Sequence, residues 1–95
     1  VPLRSGSGWE IYETELYNKI IPGIKNFNPD LIIISAGFDA HIRDPLGCMN
    51  LSSEDFGKMT NMMLNIQQKI LFGLEGGYNI DAMSESVRIV ISKLI

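Results

Sequence analysis

Cysteine is nearly absent: Cys48 is the single thiol. No internal disulfide can hold the chain together, and a reducing compartment is expected. A basic excess is absent too. Lys and Arg number 8 against 11 Asp and Glu, for a net charge of −3. That excludes the basic face of a nucleic-acid-binding module and a polybasic membrane anchor, so neither nucleic acid nor membrane is expected as a direct partner. Long hydrophobic runs are missing. Leu31-Ile32-Ile33-Ile34 is the longest aliphatic stretch, far below the roughly 20 residues of a membrane-spanning helix. No basic-then-apolar signal segment opens the chain. It starts Val-Pro-Leu, without an initiator methionine, and reads as a piece of something longer. There is no internal repeat, low-complexity tract or linker.

What is present is an ordinary globular composition, 45% hydrophobic and 20% charged over 95 residues. That length allows one small domain or part of one. Residues 1–8 carry Pro2, Gly6 and Gly8, which is loop chemistry. Trp9, Tyr12, Leu16, Ile20 and Phe27 fall near one helical face, with Pro22 inside the run as a kink or a new start. Asn28-Pro29-Asp30 predicts a turn. Residues 31–35 are apolar on both faces, as in a parallel strand covered by helices on each side. A long loop follows over 36–51, a length that is often functional.

Ser52 and Asp55 approximate a capping box, with Leu51 and Phe56 placed as a hydrophobic staple. Phe56, Met59, Met63 and Ile66 continue as a buried helical stripe. Residues 70–74 predict a second buried strand. A last helix runs from about 81 to the end, with Met83, Val87, Val90 and Leu94 on one side. The order predicts an α/β class: one βαβ unit, two strands, with a flanking helix at each end.

Parallel sheets bind ligands at the carboxyl ends of their strands. The two least ordinary stretches sit there, Ser35-Ala36-Gly37-Phe38-Asp39-Ala40-His41 and Glu75-Gly76-Gly77-Tyr78-Asn79. Asp39 follows a strand apolar on both faces, where an unpaired carboxylate is costly, so a metal, a basic partner or solvent must compensate. A phenol is a hydrogen-bond donor at neutral pH. A metal-bound carboxylate on one strand and a phenol on the next are parts for polarising a carbonyl.

Each residue also has a plain structural reading. Asp39 suits a loop cap or an ion pair, Tyr78 a half-buried packing residue, and Gly76-Gly77 a turn. His41 suits a solvent-facing position or a supporting role beside a ligand. Asp44-Pro45 suits a turn, Cys48 a small packing residue, and Met59, Met62, Met63 and Met83 core filler.

Taken together, these segments resemble the zinc-dependent histone deacetylase family. The likeness runs from Pro2-Leu3 through the 28–41 stretch and Asp44-Pro45-Leu46-Gly47 to Leu74-Glu75-Gly76-Gly77-Tyr78-Asn79. The forms S-A-G-F-D and E-G-G-Y are more similar to the class II branch and its bacterial relatives. The resemblance implies an arginase-like α/β fold, with residues 1–95 as the carboxyl-terminal portion of a single catalytic domain. It implies that Asp39 is a zinc ligand and Tyr78 the catalytic phenol. Gly76 and Gly77 would line the substrate pocket. The zinc ion is the implied cofactor and an acetylated lysine of a histone or other protein the implied partner, in the nucleus or the cytoplasm.

The family's Asp-x-His ligand pair and its His-His acid/base pair have no match here, and His41 is not assigned as a ligand. A catalytic zinc takes about three protein ligands, so the piece alone is expected to be inactive. Its strand edges are expected to leave it open to self-association. Two other readings stay open: a deacetylase of acetylpolyamines or other small amides, and a catalytically degenerate scaffold or acyl-lysine reader.

Overall fold

Pro22 governs the first helical segment. It has no N–H to donate one turn back, and its ring crowds that turn. A computed structural model describes all 95 residues, and in it the helix widens rather than stops. Helix α1 spans Trp9–Glu15, a π-helical turn follows at Leu16–Ile20, and α2 runs Ile21–Phe27 with Pro22 in its first turn. The Ile21 N–H donates to Leu16 O, five residues back, which is the π spacing. The extra residue rotates the apolar stripe by about 100°. Ile21 is therefore buried, while Phe27, expected on the buried face, is 82% exposed. Asn28 closes α2 in the left-handed region at φ 55°, as short polar side chains tolerate, and a bend at Asp30 leads into the next strand.

Strands β1 (Ile32–Ala36) and β2 (Ile70–Leu74) pair in parallel, Ile32 beside Ile70 and Ala36 beside Leu74. The irregular stretch 37–52 and helix α3 (Ser53–Leu64) connect them, and α4 (Ile80–Leu94) follows β2. This is the expected α/β arrangement. The expected covering of both sheet faces is not. All helices build their clusters against the alternate residues Ile32, Ile34, Ala36, Ile70 and Phe72. Ile33 and Leu71 point to the other face and stay 66% and 56% exposed.

Two clusters make the core. Ala36, Phe38, Leu51, Phe56 and Val90 form one, at the carboxyl end of β1 between α3 and α4. Ile21, Met62 and Met63 form the other, between α2 and the end of α3. The Phe38 and Phe56 rings are tilted with centroids 5.1 Å apart, a geometry that contributes about 0.5–1.5 kcal/mol beyond burial. The methionines serve as core filler, as expected: Met62 and Met63 are buried, and Met59 and Met83 pack partly buried against the first cluster. No helix is long and apolar enough to cross a membrane.

The helix starts follow from their caps. The predicted box at α3 is present: the Ser52 N–H donates to Asp55 Oδ2 at 2.8 Å. Leu51 and Phe56 staple that cap into the first cluster. Lys58 Nζ lies 2.7 Å from Asp55 Oδ1 and 4.8 Å from the Trp9 ring centroid, tying α3 to α1. At α4, Asn79 Oδ1 accepts the Ala82 N–H at 3.0 Å.

Burial pushes the Asp55 carboxyl up, but hydrogen bonds from Lys58 and Ser52 outweigh it and hold the group below its ordinary 3.8. A depressed carboxyl contributes stability that is complete above its unfolded value and is lost as pH falls through the folded one. Asp55→Ala in the full-length protein should therefore cost about 0.5–2 kcal/mol at neutral pH. Urea unfolding should show the gap to the unsubstituted protein closing below about pH 4. A gap that persisted unchanged in acid would exclude this account of the cap.

Candidate active site

The strand pairing does not stop where the regular strands do. Glu75 N–H donates to Ala36 O at 3.0 Å, and Phe38 N–H to Gly76 O at 2.8 Å. The two motif-bearing stretches therefore run side by side past the carboxyl ends of β1 and β2. Phe38, buried against Phe56, anchors the first stretch and sets where Asp39 begins.

Three glycines close on Asp39: Gly37 from its own stretch, Gly47 from the loop beyond and Gly76 from the second strand end. A Cβ on Gly37 would lie 2.8 Å from Asp39 Oδ1, and one on Gly76 would lie 2.9 Å from Asp39 Cγ. A Cβ on Gly47 would meet the Asp39 carbonyl oxygen at 1.6 Å. Real Cβ atoms do not approach this closely, and two of these contacts are with the carboxylate itself. Asp39 forms no ion pair and its side chain accepts no hydrogen bond within the chain. It is a half-buried carboxylate with acceptor capacity to spare. The Tyr12 phenol is raised by burial and, secondarily, by the Asp39 charge, so it stays a neutral donor.

Tyr78 lies at the same sheet edge, 57% exposed, and so is not the half-buried packing residue of the plain reading. Its place is set by main chain. Gly77 adopts φ 140°, which a side chain rarely permits, and a Cβ there would lie 3.2 Å from Met83 Cγ and 3.3 Å from Phe38 Cβ. The Tyr78 N–H donates to Asp44 Oδ2 at 2.8 Å. Asp44 Oδ1 accepts from Leu46 N–H at 2.8 Å and Gly47 N–H at 3.0 Å. Beside this contact, Asn79 Nδ2 donates to Arg43 O at 3.0 Å. Partial desolvation raises the Asp44 carboxyl, but backbone N–H groups of Tyr78, Leu46, Gly47 and Asn79 outweigh it and hold the group below the ordinary range.

Asp44-Pro45 is thus more than the turn that its sequence suggests, and Gly47 belongs to the site although spacing alone did not single it out. The signal for half of this was present. An aspartate two and three residues ahead of free N–H groups predicts an Asx turn. The reach to Tyr78 has no local signal.

His41 does not join Asp39 or face solvent. It is 3% exposed and stacks on Phe56. Its Nδ1 accepts the Arg43 N–H at 3.0 Å, so Nε2 carries the proton and donates to Ser53 Oγ at 3.0 Å. Ser53 Oγ lies 3.2 Å from Ser86 Oγ, whose hydroxyl donates to Ala82 O at 2.7 Å. Burial, then the Arg43 charge, lowers the imidazole's affinity for a second proton. Both ring nitrogens are used, so His41 pins the loop to α3 and α4. Cys48 also departs from expectation. It is exposed, at φ 55°, and its carbonyl, rather than its thiol, holds the amino-terminal segment through Gly6 N–H and Ser5 Oγ.

No three His, Cys, Asp or Glu side chains in the chain are placed to hold one metal ion. What the edge offers is a half-buried carboxylate without a partner in the chain, a glycine-lined approach and an exposed phenol.

Residues 1–94 match the histone deacetylase domain family. Histone deacetylase 15 of Arabidopsis thaliana is 40% identical over 91 residues, covering 95% of this chain and 16% of its own length. An uncharacterized protein of Synechocystis sp. is 39% identical over 87 residues, covering 92% of this chain and 29% of its own. The crystal structure of the HDA15 HD domain superposes with a TM-score of 0.92 at 39% identity, over 96% of this chain and 26% of that one. The chain spans less than a third of the length of these relatives. With the match running along nearly all of its length and the α/β fold shared, the chain belongs to the histone deacetylase family.

Proposed function

We propose that this chain supplies one metal donor and the carbonyl-polarising phenol of a zinc-dependent deacetylase that removes acetyl groups from lysine side chains of histones or other proteins. The observation that carries this reading is the convergence of Gly37, Gly47 and Gly76 on an unpaired Asp39 carboxylate. Carboxylate oxygen is a zinc ligand, and since no three donor side chains of this chain converge, Asp39 would contribute part of a donor set. Zinc, when bound, supplies Lewis-acid polarisation of a carbonyl and of water.

This chain's own residues would do the following. Asp39 holds one coordination position from a backbone that the three glycines keep in place. Gly76 and Gly77 keep the pocket wall free of side chains, so that an acyl group can approach. The Tyr78 phenol donates a hydrogen bond to the acyl oxygen and strengthens it as negative charge develops there. The exposed phenol suits a group that meets an incoming substrate.

In the full-length protein, Asp39→Ala should lower zinc content, measured by atomic emission, and abolish hydrolysis of an acetyl-lysine peptide. Tyr78→Phe should keep zinc and lower kcat by about 10²–10³; normal turnover by that variant would remove Tyr78 from the reaction. Gly47→Ala, which drives a methyl group into the Asp39 carbonyl, should cost about 1–3 kcal/mol or more and lower zinc content. Gly23→Ala, which meets open space on α2, should leave both unchanged or raise stability. Turnover of acetylpolyamines far above that of peptides would redirect the substrate, and acyl-lysine binding without turnover would favour a reader.

A further inference from the structure

The exposed Tyr78 side chain is held by its main chain, and that main chain is held by Asp44. We infer that Asp44 is a positioning residue for Tyr78: its carboxylate clamps the second strand-end turn to the first, and so sets where the phenol stands.

This rests on the proposed role of Tyr78. The phenol itself has no hydrogen-bond partner in the chain, and the residue is 57% exposed. Packing therefore leaves its position to the backbone of 76–79. Asp44 Oδ2 takes the Tyr78 N–H at 2.8 Å across 34 positions of sequence. The same carboxylate fixes the Gly47 N–H at 3.0 Å, and Gly47 packs on the Asp39 carbonyl. One side chain thus spans the two strand ends, with Oδ1 on the Asp39 side and Oδ2 on the Tyr78 side. The Asn79 Nδ2 bond to Arg43 O is a second strut across the same gap. A carboxylate suits this task because both oxygens accept hydrogen bonds, whereas an amide has one accepting oxygen. Reacting groups displaced by about 1 Å lose about 10²-fold in rate.

The test uses the full-length protein with an acetyl-lysine peptide. Asp44→Asn should lower kcat by about 10- to 100-fold, with KM and zinc content close to those of the unsubstituted protein. In a Tyr78→Phe background the same substitution should have little further effect on kcat, because there is no phenol left to misplace. Asn79→Asp keeps the oxygen that caps α4 and removes the donor to Arg43 O; it should lower kcat in the same direction by a smaller factor, and it carries the test if Asp44→Asn does not fold. Full activity in Asp44→Asn, or equal losses in both backgrounds, would overturn the positioning role while leaving Tyr78 catalytic. Normal turnover in Tyr78→Phe alone would instead overturn the role of Tyr78 on which this inference is built.

Discussion

The crowding around Asp39 is the constraint on which the site depends. Two further points of the chain come against one residue, each as a glycine, and a third glycine stands two residues before it. Close-packed interiors have little room to absorb an added methyl group, so the backbone of each stretch is held to a narrow position. The parallel pairing that continues past the strands brings Gly76 to Asp39, and the Asx turn of Asp44 brings Gly47. The carboxylate is placed by main-chain geometry rather than by a partner of its own.

That absence of a partner separates Asp39 from its neighbours. Asp44 is occupied by backbone N–H groups. Asp55 is occupied by the α3 cap and Lys58. Glu85 is paired with Arg43. Imidazole and hydroxyl groups nearby are consumed by the chain from His41 through Ser53 to Ser86. A buried polar network with every member satisfied is rigid, and this one fixes the loop without lending it reactive groups. Asp39 is left as a half-buried acceptor at the strand ends with capacity for something the chain does not itself provide.

The fold supports this by dividing its work between two clusters. The cluster at the carboxyl end of β1 packs Phe38, Leu51, Phe56 and Val90 beneath the loops. The other secures α2 to α3. The π-helical turn at Leu16–Ile20 lets α1 and α2 both turn apolar residues toward the core despite Pro22. The bare face at Ile33 and Leu71 shows the sheet covered on one side by this chain, although its strands have the composition of a sheet covered on both.

Much of this is legible in the residues. The two apolar strands, the Ser52–Asp55 box, the Leu51–Phe56 staple and the break at Asn28 are decided by neighbours within a turn or two of chain, and local patterns report local interactions. The placing of Asp39 and Tyr78 at one edge follows from the parallel order of the strands. That α/β order, the helix caps and the two motifs at the strand ends follow from the residues alone. The partnerships arise on folding: Asp44 with Tyr78, Gly47 with Asp39, His41 turned inward to Ser53, and Phe27 turned outward by one added residue in a helical turn. A side chain's chemistry states how many hydrogen bonds it needs. Which groups meet that need depends on segments far apart in sequence, brought together by strand pairing and close packing.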